Sequence, residues 1–139
     1  MNCLFCSIVA GTVPSQKIYE TDSLLAFLDI HPTNPGHVIV IPKVHYDNYL
    51  DAPASVLTEL AGAMQQLAPP VLAAVGADAW NLIVNSGRNA GQVIFHVHFH
   101  LVPRFLDDGF RHWKGNPEHE QGVDSVAEKI RAALQQCFL

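Results

Sequence analysis

The chain has 139 residues, of which 49% are hydrophobic and 15% charged, with a formal net charge of -5. That length suits one compact domain with enough apolar material for a core. The eight lysines and arginines are scattered rather than striped, which argues against long nucleic acid as a partner and leaves a small anionic ligand open.

No apolar run reaches the length of a membrane span. The opening Met1-Asn2-Cys3-Leu4-Phe5-Cys6 has no basic residue before Lys17, so it does not read as a signal peptide. Three cysteines are an odd set, expected to be reduced in a cytoplasmic chain.

Residues 3–10 predict a short helix, with Leu4, Phe5, Ile8 and Val9 on one face and Gly11 and Pro14 ending it. Residues 17–20 and 24–30 predict two strands around the turn Thr21-Asp22-Ser23. His31-Pro32-Thr33-Asn34-Pro35-Gly36 is loop chemistry, and residues 37–41 form a strand that Pro42 ends. Residues 53–75 carry apolar side chains at helical spacing, with a kink or break expected at Pro69-Pro70 and a cap at Gly76.

Residues 80–85 predict a strand, 86–92 a glycine-containing loop and 93–103 another strand. Residues 106–122 read as a polar loop. Ser125-Val126-Ala127-Glu128 matches a capping box opening a last helix, with Val126, Ile130, Leu134 and Cys137 on one face. The whole is an α+β chain, 1–139, with one domain and a C-terminal extension over 106–139.

His96, His98 and His100 alternate with Val97, Phe99 and Leu101, so a regular strand puts the three imidazoles on one face. They could be hydrogen-bonded surface histidines. They could bind metal, but same-face neighbours stand about 6.6 Å apart, so three cannot converge on one ion from a regular strand. They could be catalytic, since a neutral imidazole is a competent nucleophile near pH 7 and attack on phosphorus gives a phospho-histidine. The central His98 is then the nucleophile, and the preceding loop can offer backbone N–H groups to developing charge.

Phe95-His96-Val97-His98-Phe99-His100-Leu101-Val102 resembles the motif of the histidine-triad (HIT) family. Asn85-Ser86-Gly87 and Ala90-Gly91-Gln92 resemble its phosphate loop. Leu25-Ala26-Phe27-Leu28-Asp29-Ile30 and Gly36-His37-Val38-Ile39-Val40-Ile41-Pro42-Lys43 resemble its earlier motifs. The resemblance runs from about Cys3 to Arg104. It implies a HIT-like fold: a five-stranded antiparallel sheet with one long helix, a short N-terminal helix and a C-terminal helix, paired into a homodimer with a continuous sheet. It implies that His98 attacks the α-phosphate of a nucleotide, with His37, His96 and His100 completing the cluster. Asp29 would hold the ribose, and Phe5, Ile8, Phe27 and Ile30 the base. Asn85, Gly91, Gln92 and Val93 would lie at the phosphate and leaving group. Where the phosphoramidase branch carries a serine this chain has Val93, so a hydroxyl donor is missing.

Cys3 and Cys6 could be inert, a redox pair, or half of a zinc site. The resemblance supports a structural zinc held by Cys3, Cys6, His45 and His96, with no catalytic cofactor. The leading reading is a nucleotidyl hydrolase or transferase acting on a purine nucleotide conjugate, such as a phosphoramidate. The alternatives are a dinucleoside polyphosphate hydrolase, a nucleotide-binding regulatory module with little turnover, and a catalytic zinc hydrolase. The expected partner is a small nucleotide, with neither nucleic acid nor membrane.

Overall fold

A computed structural model describes residues 2–138. One compact unit runs to Asp108 and a second begins at Gly109. The first holds helices α1 (Leu4–Val9) and α2 (Ala54–Val75) and strands β1 (Lys17–Glu20), β2 (Leu24–Leu28), β3 (Val38–Pro42), β4 (Ala79–Ile83) and β5 (Phe99–Arg104). The strands make one antiparallel sheet in the order β1-β2-β3-β5-β4, as expected for the fold class.

Strands β2 and β3 are buried along almost their whole length, because both of their faces are covered. Leu24, Ala26, Val38 and Val40, with Phe99 and Leu101, meet Leu60, Ala63, Met64, Leu67 and Ala68 of α2. Leu25, Phe27, Ile39 and Ile41 face the other way and meet Cys3, Phe5 and Ile8 around α1. The period-two alternation of these strands therefore sorts one apolar run into two cores.

Helix α2 does not break at Pro69-Pro70; it runs unbroken to Val75. Both prolines are exposed, and the carbonyls they leave without donors belong to Gln65 and Gln66, also exposed, where water can serve them. Gly76 ends the helix in the left-handed region at φ 72, as anticipated. Gly36, at φ 81, is tighter: a Cβ there would stand 3.0 Å from Val75 Cγ1 and 3.2 Å from Pro103 Cγ.

The strand expected over 93–103 begins only at Phe99. Its partner β3 ends in Pro42, which has no amide to donate, and the Pro42 carbonyl accepts from His96 Nε2 at 2.8 Å instead of from a backbone N–H. Val97 N–H turns to the carbonyl of Tyr46, at 2.7 Å.

In the second unit, a 3-10 segment at Pro117–Gly122 leads into α3 (Val123–Phe138) where a loop was expected. There is no capping box: Ser125 lies inside α3, its hydroxyl donating to the Gly122 carbonyl. The face of Val126, Ile130 and Leu134 is exposed, and so is Cys137. Among the described residues no helix is long and apolar enough to cross a membrane.

Leu60 is wholly buried between α2 and the sheet. Leu60→Ala is expected to lower unfolding free energy by about 2–5 kcal/mol in urea titration, through lost burial and the cavity left behind.

Candidate active site

A pocket of about 440 Å³ opens on the α1 side of the sheet. Phe5, Ile8, Val13, Pro14 and Phe27 form an apolar end. Asn85, Gly91, His98 and His100 line it as well, with Asp29, Ile30 and Val93. The volume suits a small organic ligand. Ile30 and Val93 belong to its open edge, 78% and 83% exposed.

Hydrogen-bond partners fix the state of each imidazole. His98 Nδ1 is 2.7 Å from the carbonyl of His96, so it carries the proton and donates. Its Nε2 is left with a free lone pair. The Thr33 amide donates to His37 Nδ1 at 3.0 Å, so His37 carries its proton on Nε2. That proton is donated to His100 Nδ1 at 2.9 Å, which places the proton of His100 on Nε2. Phe5 meets the His98 ring edge-on, at a centroid separation of 5.1 Å, and His100 flanks it at 4.8 Å.

Burial keeps these rings neutral. Desolvation lowers the pKa of His98 and His37, with Asp29 opposing it in both and the His96 carbonyl also opposing it in His98. His100 is pushed down to about 4, first by burial and then by repulsion from His98 and His37. Neutrality is what a nitrogen nucleophile needs.

His37 does not line the pocket; it sits behind His100 and orients it. The loop before it is anchored by Asn34, whose Nδ2 donates to the Pro103 carbonyl and to Asp108. Asp29 does line the pocket, one carboxylate oxygen accepting from the His31 amide at 2.8 Å and the other 3.6 Å from His37 Nε2.

Gln92 was expected at the phosphate, but its side chain is turned inward and 3% exposed. Its oxygen accepts from Gly87 N–H at 2.8 Å, and its nitrogen donates to the carbonyls of Asp47 and Ile94. Gln92 shapes the loop, while Gly87 and Gly91 supply the positive φ of 92 and 91 that the turn requires.

His96 leaves the pocket altogether and is fully buried, contrary to the expectation of three imidazoles on one face. Its Nδ1 lies 3.5 and 3.6 Å from the sulfurs of Cys3 and Cys6 and 3.2 Å from His45 Nδ1. These four residues could hold a metal ion. His96 Nε2–H is spent on Pro42 and His45 Nε2–H on Asp47, at 2.7 Å, so both Nδ1 lone pairs face the thiols. That is the tautomer arrangement and outer-shell support of a metal centre, and two thiols with two imidazoles suit zinc. Asp29, His37 and His100 also converge. They fit a cation poorly, because the Thr33 amide already occupies His37 Nδ1 and obliges Nε2 to keep its proton.

Sequence reasoning missed Asp47, which the outer-shell rule for metal-binding histidines could have found two residues after His45. It also missed Val13, Pro14 and Ser15, which carry no motif, and gave no role to His31, which lines the pocket.

An antiparallel sheet that presents buried imidazoles to a pocket of small-ligand size, beside a glycine turn, defines a histidine-centred site for a small organic ligand. The chain belongs to the HIT domain family, whose sequence model matches residues 10–107. It is 42% identical over 134 residues to adenylylsulfatase HINT3 of Arabidopsis thaliana, covering 96% of this chain and 68% of that one. It is 35% identical over 138 residues to adenosine 5'-monophosphoramidase hnt1 of Schizosaccharomyces pombe, covering 97% and 100%. A crystal structure of a zinc-bound histidine triad family protein from Mycobacterium smegmatis superposes with a TM-score of 0.76 at 34% identity, covering 96% and 98%.

The lowered pKa of His100 ties stability to pH. Below about 6.5 the unfolded chain takes up a proton that folded His100 refuses until about pH 4, so stability falls as pH drops through that window. His100→Asn, which keeps an acceptor for His37, is expected to show a smaller loss between pH 7 and pH 5 in urea unfolding.

Proposed function

We propose that this chain is a nucleotidyl hydrolase or transferase that cleaves at the α-phosphate of a purine nucleotide conjugate, with His98 as nucleophile. The observation that carries the reading is the His98 ring: buried, neutral, tethered through Nδ1 and facing the pocket with Nε2 unprotonated. Nε2 forms a bond to phosphorus as the bond to the leaving group breaks, sulfate or phosphate departing as the anion and an amine taking up a proton from solvent. Water then attacks phosphorus, losing a proton to solvent, and His98 departs as a neutral imidazole. His100 Nε2–H donates to a phosphoryl oxygen, and the loop at Gly91 with Asn85 shapes the phosphate end. Asp29 accepts from the ribose hydroxyls, and the apolar end takes the base. The relatives named for adenylylsulfate and adenosine phosphoramidate activities agree with a nucleotidyl centre and differ in leaving group. Val93 brings no hydroxyl to that side, so a leaving group needing no side-chain donor there suits this chain better than an amine.

Cys3, Cys6, His45 and His96 would hold a zinc ion whose four protein ligands leave no open position, so its role is structural. It would join α1, which carries Phe5 and Ile8, to the sheet. A homodimer also fits: β4 is an edge strand with Leu82 and Ile83 exposed, able to extend the sheet across a two-fold axis.

His98→Ala is expected to abolish turnover and nucleotidyl-enzyme formation while the chain still folds. Quenched incubation with an adenosine phosphoramidate, followed by peptide mass measurement, should find the adenylyl mass on the His98 peptide. Turnover retained in the variant would refute the assignment. Elemental analysis should find close to one zinc per chain, lost in Cys6→Ser, with a marked drop in melting temperature after chelation.

A further inference from the structure

The hydrogen bond between His37 Nε2 and His100 Nδ1, 2.9 Å long, can in principle run either way, because a neutral imidazole carries its one proton on either nitrogen. If His37 donates, His100 keeps its proton on Nε2. If His100 donates, its proton sits on Nδ1 and Nε2 has only a lone pair. His100 lines the pocket, whereas His37, which holds its Nδ1, does not. His100 Nε2 has no partner within the protein, yet among the described residues Ser15 Oγ alone is buried without one, so Nε2 is open to solvent. The direction of one bond therefore decides whether His100 brings a donor or an acceptor to the pocket it lines.

The Thr33 amide makes the choice. It donates to His37 Nδ1 at 3.0 Å, which obliges His37 to carry its proton on Nε2. Asp29 Oδ2 favours the same form but stands 3.6 Å from Nε2, too far for a hydrogen bond. The loop that carries this amide has little to hold it. From His31 to Pro35 every residue is exposed except Asn34, and Pro32 and Pro35 have no amide to tie down. Asn34 Nδ2 donates to the Pro103 carbonyl and to Asp108 Oδ2, both at 2.9 Å. Pro103 lies two residues beyond Leu101, where the ladder between β3 and β5 ends. Asp108 is fixed in turn by Arg104, whose Nε and Nη2 donate to its two oxygens at 2.7 and 2.8 Å. Arg104 Nη1 reaches on to Asn81 of β4, at 2.8 Å. The loop is thus moored, through one buried side chain, to the braced end of the sheet.

We propose that Asn34 is a positioning residue: by holding the Thr33 amide against His37 it fixes the direction of the His37–His100 bond and gives the pocket a donor at His100 Nε2. A donor there attracts the oxygen of an anion, and a lone pair there would repel it. Asn34 does this without lining the pocket.

The test is ring 15N–1H correlation spectroscopy of the full chain at pH 7, which reads the tautomer of each histidine. Wild-type His100 is expected almost wholly as the Nε2–H form. Asn34→Ala is expected to lose roughly half or more of that form, with His37 moving to Nδ1–H in step, since one ordinary hydrogen bond sets the balance. His98, tied to the His96 carbonyl, should keep its Nδ1–H in every spectrum. Thr33→Pro removes the selecting amide itself and should give the same exchange, which also covers an Asn34 variant that does not fold. A lower melting temperature with the His100 tautomer unmoved would make Asn34 an anchor of the fold alone and overturn the proposal. So would an unmoved tautomer in Thr33→Pro, or a wild-type His100 protonated on Nδ1. Because a proton rather than a ligand is read, these outcomes are independent of the nucleotide reading. AMP affinity is expected to fall about tenfold in both variants, the weight of a hydrogen bond to a charged group. Unchanged AMP affinity after the tautomers have exchanged would overturn the role at the pocket. Absence of AMP binding to the wild-type chain would sink the nucleotide reading and leave the tautomers to decide this one.

Discussion

The bond from His96 Nε2 to the Pro42 carbonyl decides how the imidazoles of this protein divide. Proline offers no amide, so the ladder between β3 and β5 stops at that point, and the carbonyl left over takes a side chain. His96 is thereby pulled out of register with His98 and His100 and aimed at Cys3, Cys6 and His45. Its own carbonyl, freed from strand pairing, becomes the acceptor for His98 Nδ1–H. One interrupted ladder thus turns one ring toward the two cysteines and leaves another at the pocket.

The same economy of partners runs through the site. His37, His98 and His100 each have one nitrogen committed to a backbone group or to another ring, and the commitment sets what the other nitrogen can do. His37 is held by the Thr33 amide and hands its proton to His100. Burial does the rest, lowering the pKa of His37, His98 and His100 so that the cluster is neutral where unburied imidazoles begin to charge. Wiring and desolvation act together: hydrogen bonds choose the tautomer, and the missing water keeps the ring uncharged.

The candidate metal centre and the pocket also share scaffolding. Asp47 accepts from His45 through its carboxylate and from Gln92 through its backbone carbonyl, and Gln92 in turn closes the loop at Gly87. On the other side, α1 carries Cys6 toward the centre and Phe5 and Ile8 toward the pocket. Whatever fixes the cysteines therefore also fixes one wall of the pocket, while the segment after β3 braces the turn at Gly87.

Patterns of period two and period 3.6 in the sequence were enough to place the long helix and most of the strands, because alternation and helical spacing are local properties of the chain, while the last strand starts only at Phe99. The motifs likewise marked the cysteines and His45 as a set. What local spacing could not reveal was the competition for hydrogen bonds between distant segments. That competition turned His96 away from its neighbours, withdrew Gln92 into the loop, placed His37 behind His100 and left Ser15 without a partner. The unbroken helix through Pro69-Pro70 has the same origin, since only the folded chain decides which carbonyls face water. Local periodicity set the elements. Which polar atom found which partner was settled only when residues far apart in sequence were brought within about 3 Å.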